Sequence, residues 1–314
     1  MTSNPYLEAF LGPYWLRPET ALWRAVDCLA LEGIEFQHPS LDLGCGDGLF
    51  SFIRAGGQVS IEYDMFLEAA NLASFFDKVD VYNNVDENLK SQIVSKPPNY
   101  HFDVGFDHKA ALLAKASRLG LYERTVEGDA NQPLPFADGS FKTIFSNILY
   151  WLDNYRATLQ EIRRLLVTGG QAVLMLPNST LSDYLFYQRF YARTKDPRWA
   201  WLDLLDRGRS TDNIKMVKSR AEWEDEFARA GLKVVSHVYH LSRTLIEAWD
   251  IGLRPISPFL IEMASKLTPE DRASIKQKWI AGLLPMLEPL CTLNWVTDAE
   301  SQPAFHRFVV APAT

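Results

Sequence analysis

The chain has 314 residues, 47% of them hydrophobic and 23% charged, which are the proportions of a folded globular protein with a sizeable core rather than a disordered or fibrous one. A net charge of −7 argues against a general nucleic-acid binder, because such proteins neutralise phosphates with clustered Lys and Arg. Three cysteines, Cys28, Cys45 and Cys291, show neither metal-ligand spacing nor a disulfide framework, so no metal is expected and a reducing, cytoplasmic setting fits.

The opening stretch "MTSNPYLEAFLGPYWLRPET" lacks the basic start and apolar run of a secretory signal. Residues 1–38 precede any strand and carry "ETALWRAVDCLAL", whose Leu22, Val26 and Leu29 share one helical face. A core of alternating elements is expected over 39–178. Its first strand, "SLDLG", ends at Gly44, and the turn "GCGDG" leads into a short helix, "LFSFIRA", stopped by Gly56 and Gly57. After an insertion at 57–99, the strand "YHFDVGFD" ends at Asp107, and the helix "HKAALLAKASRLG" follows with a stripe of Leu112, Leu113, Ala116 and Leu119. The strands "RTVEGDA" and "FKTIFSN", a helix over 155–166 and the strand "AVLMLPN" complete the core. Strands alternating with helices predict a doubly wound, mostly parallel α/β sheet covered on both faces.

Beyond Asn178 the pattern loosens. Residues 179–220 read as an aromatic helical cap containing Tyr184, Phe186, Tyr187, Phe190, Tyr191, Trp199 and Trp201. Residues 221–314 supply a helix and the last two strands, "KVVSHVYHL" and "FHRFVVAP", around a second helical insertion at 243–300 that adds Trp249, Trp279 and Trp295. The apolar stretch from Trp279 to Val296 approaches bilayer length, but two prolines and Glu288 interrupt it, so a buried cap helix is expected rather than a transmembrane segment.

The chemistry concentrates where strands end. Gly44, Gly46 and Gly48 make a strand-to-helix turn that lets backbone N–H groups approach a polar ligand. A dinucleotide fingerprint would place its third glycine at Leu49, which weakens a nicotinamide dehydrogenase reading. Asp107, Asp129 and Asn147 then fall in order at the ends of successive strands, where open α/β sheets bind ligands. A carboxylate at Asp107 can accept both ribose hydroxyls of an adenosine, and one at Asp129 can accept the adenine amino group. Each alone would be an ordinary turn former; in sequence they favour a nucleoside site.

The segments "LDLGCGDG", "DVGFDHKAALLAKA", "EGDANQPLPFADGSFKTIFSN" and "IRRLLVTGGQAVLMLPN" resemble the successive motifs of class I S-adenosylmethionine-dependent methyltransferases, over residues 40–56 and 100–178. The resemblance implies a seven-stranded Rossmann-like sheet with an antiparallel last strand and S-adenosyl-L-methionine as cofactor. It places the methionine end at Asp42 and the backbone of Gly44, Cys45 and Gly46, the ribose at Asp107, the adenine face at His108, the adenine edge at Asp129 and Ala130, and Asn147 beside the methionine moiety. One departure is the spacing: Asp107 follows Gly44 by 63 residues, where about twenty is usual, and "QVSIEYD" offers Glu62 or Asp64 at the shorter distance. Asp107 is preferred because a striped helix, a glycine stop and the "EGDA" strand follow it in unbroken order.

Methyl transfer from a sulfonium is a displacement that needs alignment and exclusion of water more than acid–base groups, so the absence of an evident dyad excludes no acceptor. Tyr150 and His240 are the polar candidates for a catalytic role. Asp206, Arg207 and Arg209 have no diagnostic spacing, and Tyr14, Trp15 and Arg17 of "YWLRP" either fold over the cofactor or simply pack. The tetrapeptide "NILY" after the fourth core strand lacks the paired prolines that similar enzymes use against exocyclic or amide nitrogens, and no Pro-Cys pair suits cytosine. The expected partner is therefore a small-molecule acceptor rather than nucleic acid, with a glycan or lipid-linked acceptor as one alternative and a non-catalytic cofactor-binding protein as another. Self-association stays open.

Overall fold

A computed structural model describes residues 4–66, 93–199, 216–293 and 302–313. Seven strands form the main sheet: β1 (Ser40–Leu43), β4 (Phe102–Asp107), β5 (Tyr122–Glu127), β6 (Phe141–Ser146), β7 (Leu166–Pro177), β8 (Leu232–His240) and β9 (Phe305–Pro312). Their order is β5-β4-β1-β6-β7-β9-β8, with β9 antiparallel to both of its neighbours and the remaining pairs parallel. This is the doubly wound, seven-stranded Rossmann-like arrangement expected from the sequence. Two short strands, β2 (Gln58–Val59) and β3 (Val94–Lys96), pair separately at the base of the 57–99 insertion.

Alternate residues of the same strands feed two cores, as the two-residue period of a strand requires. Phe145 and Val173 enter one core with Phe50 and Phe102, while Ile144 and Leu174 enter the other with Leu41 and Phe106. The first core is covered by α1 (Pro5–Leu11), α2 (Pro18–Ala30) and α3 (Leu49–Arg54); the second by α5 (Tyr155–Leu165) and α8 (Arg220–Arg229), with α4 (Ala110–Ser117) following β4. Helix α5 buries Leu159, Ile162 and Leu165 at helical spacing. Helix α8 begins with a capping box in which Ser219 and Glu222 satisfy each other's backbone N–H groups. Arg156 of α5 grips Glu226 of α8 through two bonds of 2.8 and 2.7 Å, joining the two halves of this layer.

The cap grows from the ends of β7 and β8. Helices α6 (Leu181–Tyr184) and α7 (Phe186–Thr194) leave β7; α9 (Arg243–Glu247), a π-helical turn at 248–253, α10 (Ser257–Ala264) and α11 (Pro269–Leu293) leave β8. Pro285 and Pro289 sit inside α11 without ending it. Burial of Ile280, Leu283, Leu287 and Cys291 along one face offsets the lost backbone bonds. No helix among the described residues is long and apolar enough to cross a membrane.

The sequence and the structure differ most around β5, which starts at Tyr122 rather than Arg124 and stops at Glu127. Pairing of Tyr122 with Phe102 draws it into the sheet, and Asp129 is left in the following loop. The insertion also travels further than its starting point suggests. Asp64 forms an ion pair of 2.6 Å with Arg272 of α11, and Lys276 of α11 donates to the carbonyls of Ile61 and Tyr63 at 2.8 and 2.6 Å. Trp201, Asp206, Arg207, Arg209 and Trp295 lie outside the described residues, as does the side chain of Trp199.

Candidate functional site

The parallel register puts Asp42 opposite Gly105 and Leu43 opposite Phe106, so Asp107 emerges beside Gly44 at the same sheet edge. Asp107 is 8% exposed, and its carboxylate is already organised: Oδ2 accepts the Gly46 amide at 3.0 Å and Oδ1 the Lys109 amide at 3.0 Å. The amides of Gly44 and Cys45 both donate to the Phe106 carbonyl, at 2.8 and 3.0 Å, which ties the turn to the end of β4. Asp64, the carboxylate at the shorter spacing, pairs instead with Arg272 of α11 at 2.6 Å.

The three glycines of the turn have different reasons to be glycine. All have positive φ, +87°, +56° and +75° for Gly44, Gly46 and Gly48. A Cβ on Gly44 would strike the Ile148 side chain at 2.4 Å, and one on Gly48 would press on Tyr122, Ala116 and Leu119 at 3.1–3.2 Å. Both are therefore required by packing within the protein. A Cβ on Gly46 would meet nothing within 4 Å, so this residue alone fronts open space beside Asp107. A bare backbone turned toward open space next to a buried carboxylate fits a nucleoside cofactor with hydroxyl groups to donate.

Beneath the turn, Asp42 is 2% exposed and accepts from Ser51 Oγ at 2.6 Å and Tyr122 Oη at 2.7 Å, both on Oδ2. Burial pushes its carboxyl up to about 6, against the pull of those two hydrogen bonds, and the nearby Asp107 charge adds to the rise. Cys45 is buried in the same acidic surroundings, which raises its thiol well above its usual range. Ser51 and Tyr122 carried no local sequence signal; what points to Tyr122 in hindsight is Gly105, a glycine inside a strand, which marks a close approach.

The remaining expected residues are placed as follows. His108 is exposed, with Nδ1 3.4 Å from Asp107 Oδ1. Asp129 accepts from the backbone and side-chain nitrogens of Asn131 at 2.9 and 3.0 Å, a turn-forming arrangement that leaves one carboxylate oxygen uncommitted to Asn131. Ala130 is buried and its carbonyl accepts from Thr158 Oγ1 at 2.8 Å. Asn147 is half-buried just past β6, at the tip adjoining Gly44. Tyr150 stacks edge-on against Phe305, which contacts Trp23, which in turn contacts Trp249, with ring centroids 5.8, 5.2 and 5.1 Å apart. These rings form an aromatic wall leading from the end of β6 to the cap.

His240 is fully buried at the end of β8, with Nε2 2.9 Å from Asp27 Oδ1 of α2. Three strand spacings separate β8 from β6, about 14 Å at ~4.8 Å per strand. The structure therefore does not bring His240 together with Asn147 and the glycine turn. Tyr14 and Trp15 are buried as well, and the Trp15 carbonyl accepts from Trp279 Nε1 at 2.8 Å, so "YWLRP" is fastened to α11. Among the described residues no cluster of His, Cys, Asp or Glu is arranged to hold a metal ion.

A seven-stranded sheet of this order, with a glycine turn and a buried carboxylate at the ends of β1 and β4, defines a class I methyltransferase fold. The methyltransferase-domain family matches residues 27–237, more than half of the chain, and the chain belongs to that family of methyltransferases. No curated protein matches the sequence. Similar solved structures include the [4+2]-cyclase SpnF (13% identity, 95% of this chain and 83% of that one, TM-score 0.47). Another is a possible histamine N-methyltransferase from Thermotoga maritima (13%, 96% and 92%, TM-score 0.44). A third is an S-adenosylmethionine-dependent methyltransferase from Thiobacillus denitrificans in complex with S-adenosyl-L-homocysteine (12%, 92% and 90%, TM-score 0.43).

Proposed function

We propose that the chain methylates a small-molecule acceptor, with the cofactor lying along the β4–β1–β6 edge. The observation that carries the proposal is the cradle at Gly46, open on the side where a Cβ would project and flanked by the Asp107 carboxylate. In this reading Asp107 holds the ribose hydroxyls, Ala130 and Asp129 border the adenine, His108 lies on the adenine face, and Asp42 with the Gly44–Gly46 backbone holds the methionine end. The bound cofactor supplies an electrophilic methyl group on a sulfonium.

The protein's own contribution is placement and exclusion of water. Asn147 and Tyr150, at the end of β6, lie on the side of the cofactor where the acceptor would approach, and the wall of Tyr150, Phe305, Trp23 and Trp249 offers it apolar surface. Cap helices that start immediately after β7 and β8 are positioned to roof that space. The acidic balance of the chain and the "NILY" tetrapeptide support a small acceptor over a nucleic acid. Titration calorimetry with S-adenosyl-L-homocysteine, followed by incubation with tritiated S-adenosylmethionine and metabolite extract, tests both halves. Binding with label transfer to a small molecule is expected. Binding without any transfer would point to a non-catalytic cofactor-binding protein, and no binding would overturn the site.

A further inference from the structure

The side chain of Tyr122 makes an unusual journey. It starts on β5, the edge strand, yet its hydroxyl reaches Asp42 on β1, and β4 lies between the two. The crossing is possible because β4 carries Gly105 at this level: a Cβ there would lie 2.9–3.0 Å from the Tyr122 ring. On its other side the same ring supports the glycine turn, 3.1 Å from where a Gly48 Cβ would stand. Tyr122 is thus wedged between two glycines of different segments, with its only polar atom on the carboxylate beneath the turn. Nothing about β5 pairing requires this, since an aliphatic residue would serve an edge strand equally well.

We propose that Tyr122 is a positioning residue for cofactor binding: with Ser51 it locks the Asp42 carboxylate in its ionised, correctly turned form, and its ring sets the height of the glycine turn. The inference rests on the reading above that Asp42 serves the methionine end of the cofactor, where an ammonium group would be its natural counter-charge. Both donors bind Oδ2, which orients the carboxylate as a whole. The charged groups facing Asp42 are Asp107 at the end of β4 and Arg54 on α3, with Cys45 close by; on the β6 side its neighbour is Phe145. Asp42 sits beside the Asp107 charge and away from water, and the two hydroxyl donors favour its ionised form more than the Arg54 charge does. Burial has already brought its carboxyl up to about 6. Withdrawing a donor moves it higher, and affinity for an ammonium-bearing ligand then begins to fail at a higher pH as pH is lowered.

The test is calorimetry with S-adenosyl-L-homocysteine between pH 5 and 8.5 on wild type, Tyr122→Phe, Ser51→Ala, Asp42→Asn and the Asp42→Asn/Tyr122→Phe double variant. Wild type is expected to lose affinity as pH falls through about 6. Tyr122→Phe, which keeps the wedged ring, should weaken binding about five- to tenfold at pH 7.5 and move the midpoint of the loss upward by about half to one pH unit. Ser51→Ala should shift it the same way. In the Asp42→Asn background the Phe substitution should add less than about twofold. Wild-type affinity and an unmoved midpoint in folded Tyr122→Phe overturn the proposal, as does a uniform weakening with no shift in midpoint. Should Tyr122→Phe fail to fold, an unmoved midpoint in Ser51→Ala overturns it instead. Wild-type protein that binds no S-adenosyl-L-homocysteine at any pH overturns the cofactor reading itself and this inference with it.

Discussion

The Asp107 carboxylate accepts the Gly46 amide at 3.0 Å, so the residue proposed to hold the ribose also shapes the turn that proposed cofactor contacts depend on. Asp107→Ala should therefore lose charge-assisted bonds to the ligand, about 1.5–3 kcal/mol, together with part of the turn's order. Asp64→Ala should leave cofactor affinity intact and lower thermal stability instead, because Asp64 pairs with Arg272, both of them buried side chains. Calorimetry and thermal unfolding on the two variants separate these outcomes. The reverse pattern would mean that the carboxylate at the shorter spacing holds the ribose.

The glycines of the turn should also separate by phenotype. Gly46→Val places a side chain in the open space beside Asp107 and strains a φ of +56°, so cofactor binding should be abolished while a folded fraction survives. Gly44→Ala meets Ile148 at 2.4 Å inside the protein, and the expected result is a loss of soluble, folded chain rather than a selective binding defect. Circular dichroism alongside S-adenosyl-L-homocysteine titration reads both.

Much of this architecture was written locally in the sequence. Strand β1, buried along its whole length, and the stripe of Leu159, Ile162 and Leu165 have the periods their elements need, and a core strand ending at Asp107 could be placed because the order of elements after it was unbroken. What escaped were relationships that cross elements. Tyr122 and Ser51 meet Asp42 from 80 and 9 residues away, and neither has a neighbour in sequence that betrays it. The reach of residues 60–66 toward α11 was equally invisible, since it rests on single pairs such as Asp64–Arg272. Gly44 and Gly48 were legible as turn residues but not as packing residues, because what they make room for lies far off in sequence, Ile148 in the loop after β6 and Tyr122 on β5.

Acid should loosen the second core first. Glu226 is 5% exposed, and its hydrogen bonds from Arg156 hold its carboxyl down to about 2, below the usual carboxylate range. A carboxyl lowered in the folded state contributes stability that is complete above its unfolded value near 4.3 and is lost as pH falls toward 2. Glu226→Gln should lower stability at neutral pH and flatten the decline between about pH 4.5 and 2. Thermal midpoints measured across that window check it. An acid limb as steep as that of wild type would show that the Arg156–Glu226 pair does not contribute to it.

Of the two candidates for acid–base work, Tyr150 and His240, the surroundings of His240 argue for an anchoring role. Its ring is fully buried against Phe305, its Nε2 meets Asp27 of α2, and about 14 Å of sheet separates β8 from the strand that leads to Asn147. The pair fastens α2, and with it Trp23 of the aromatic wall, to the far end of the sheet. Removing the ring takes one hydrogen bond from the buried Asp27 carboxylate, which costs about 1–3 kcal/mol. His240→Ala should therefore unfold at lower temperature yet bind S-adenosyl-L-homocysteine with close to wild-type affinity, since the glycine turn and Asp107 lie on other strands. Once an acceptor is in hand, a base and an anchor differ in the pH–rate profile. An anchor leaves the profile's shape unchanged and lowers the rate at most by a constant factor. Loss of an entire pH-dependent limb in a folded His240→Ala or His240→Asn variant would instead place His240 at the reacting atoms, and would require the acceptor to extend along the aromatic wall from Tyr150 as far as β8.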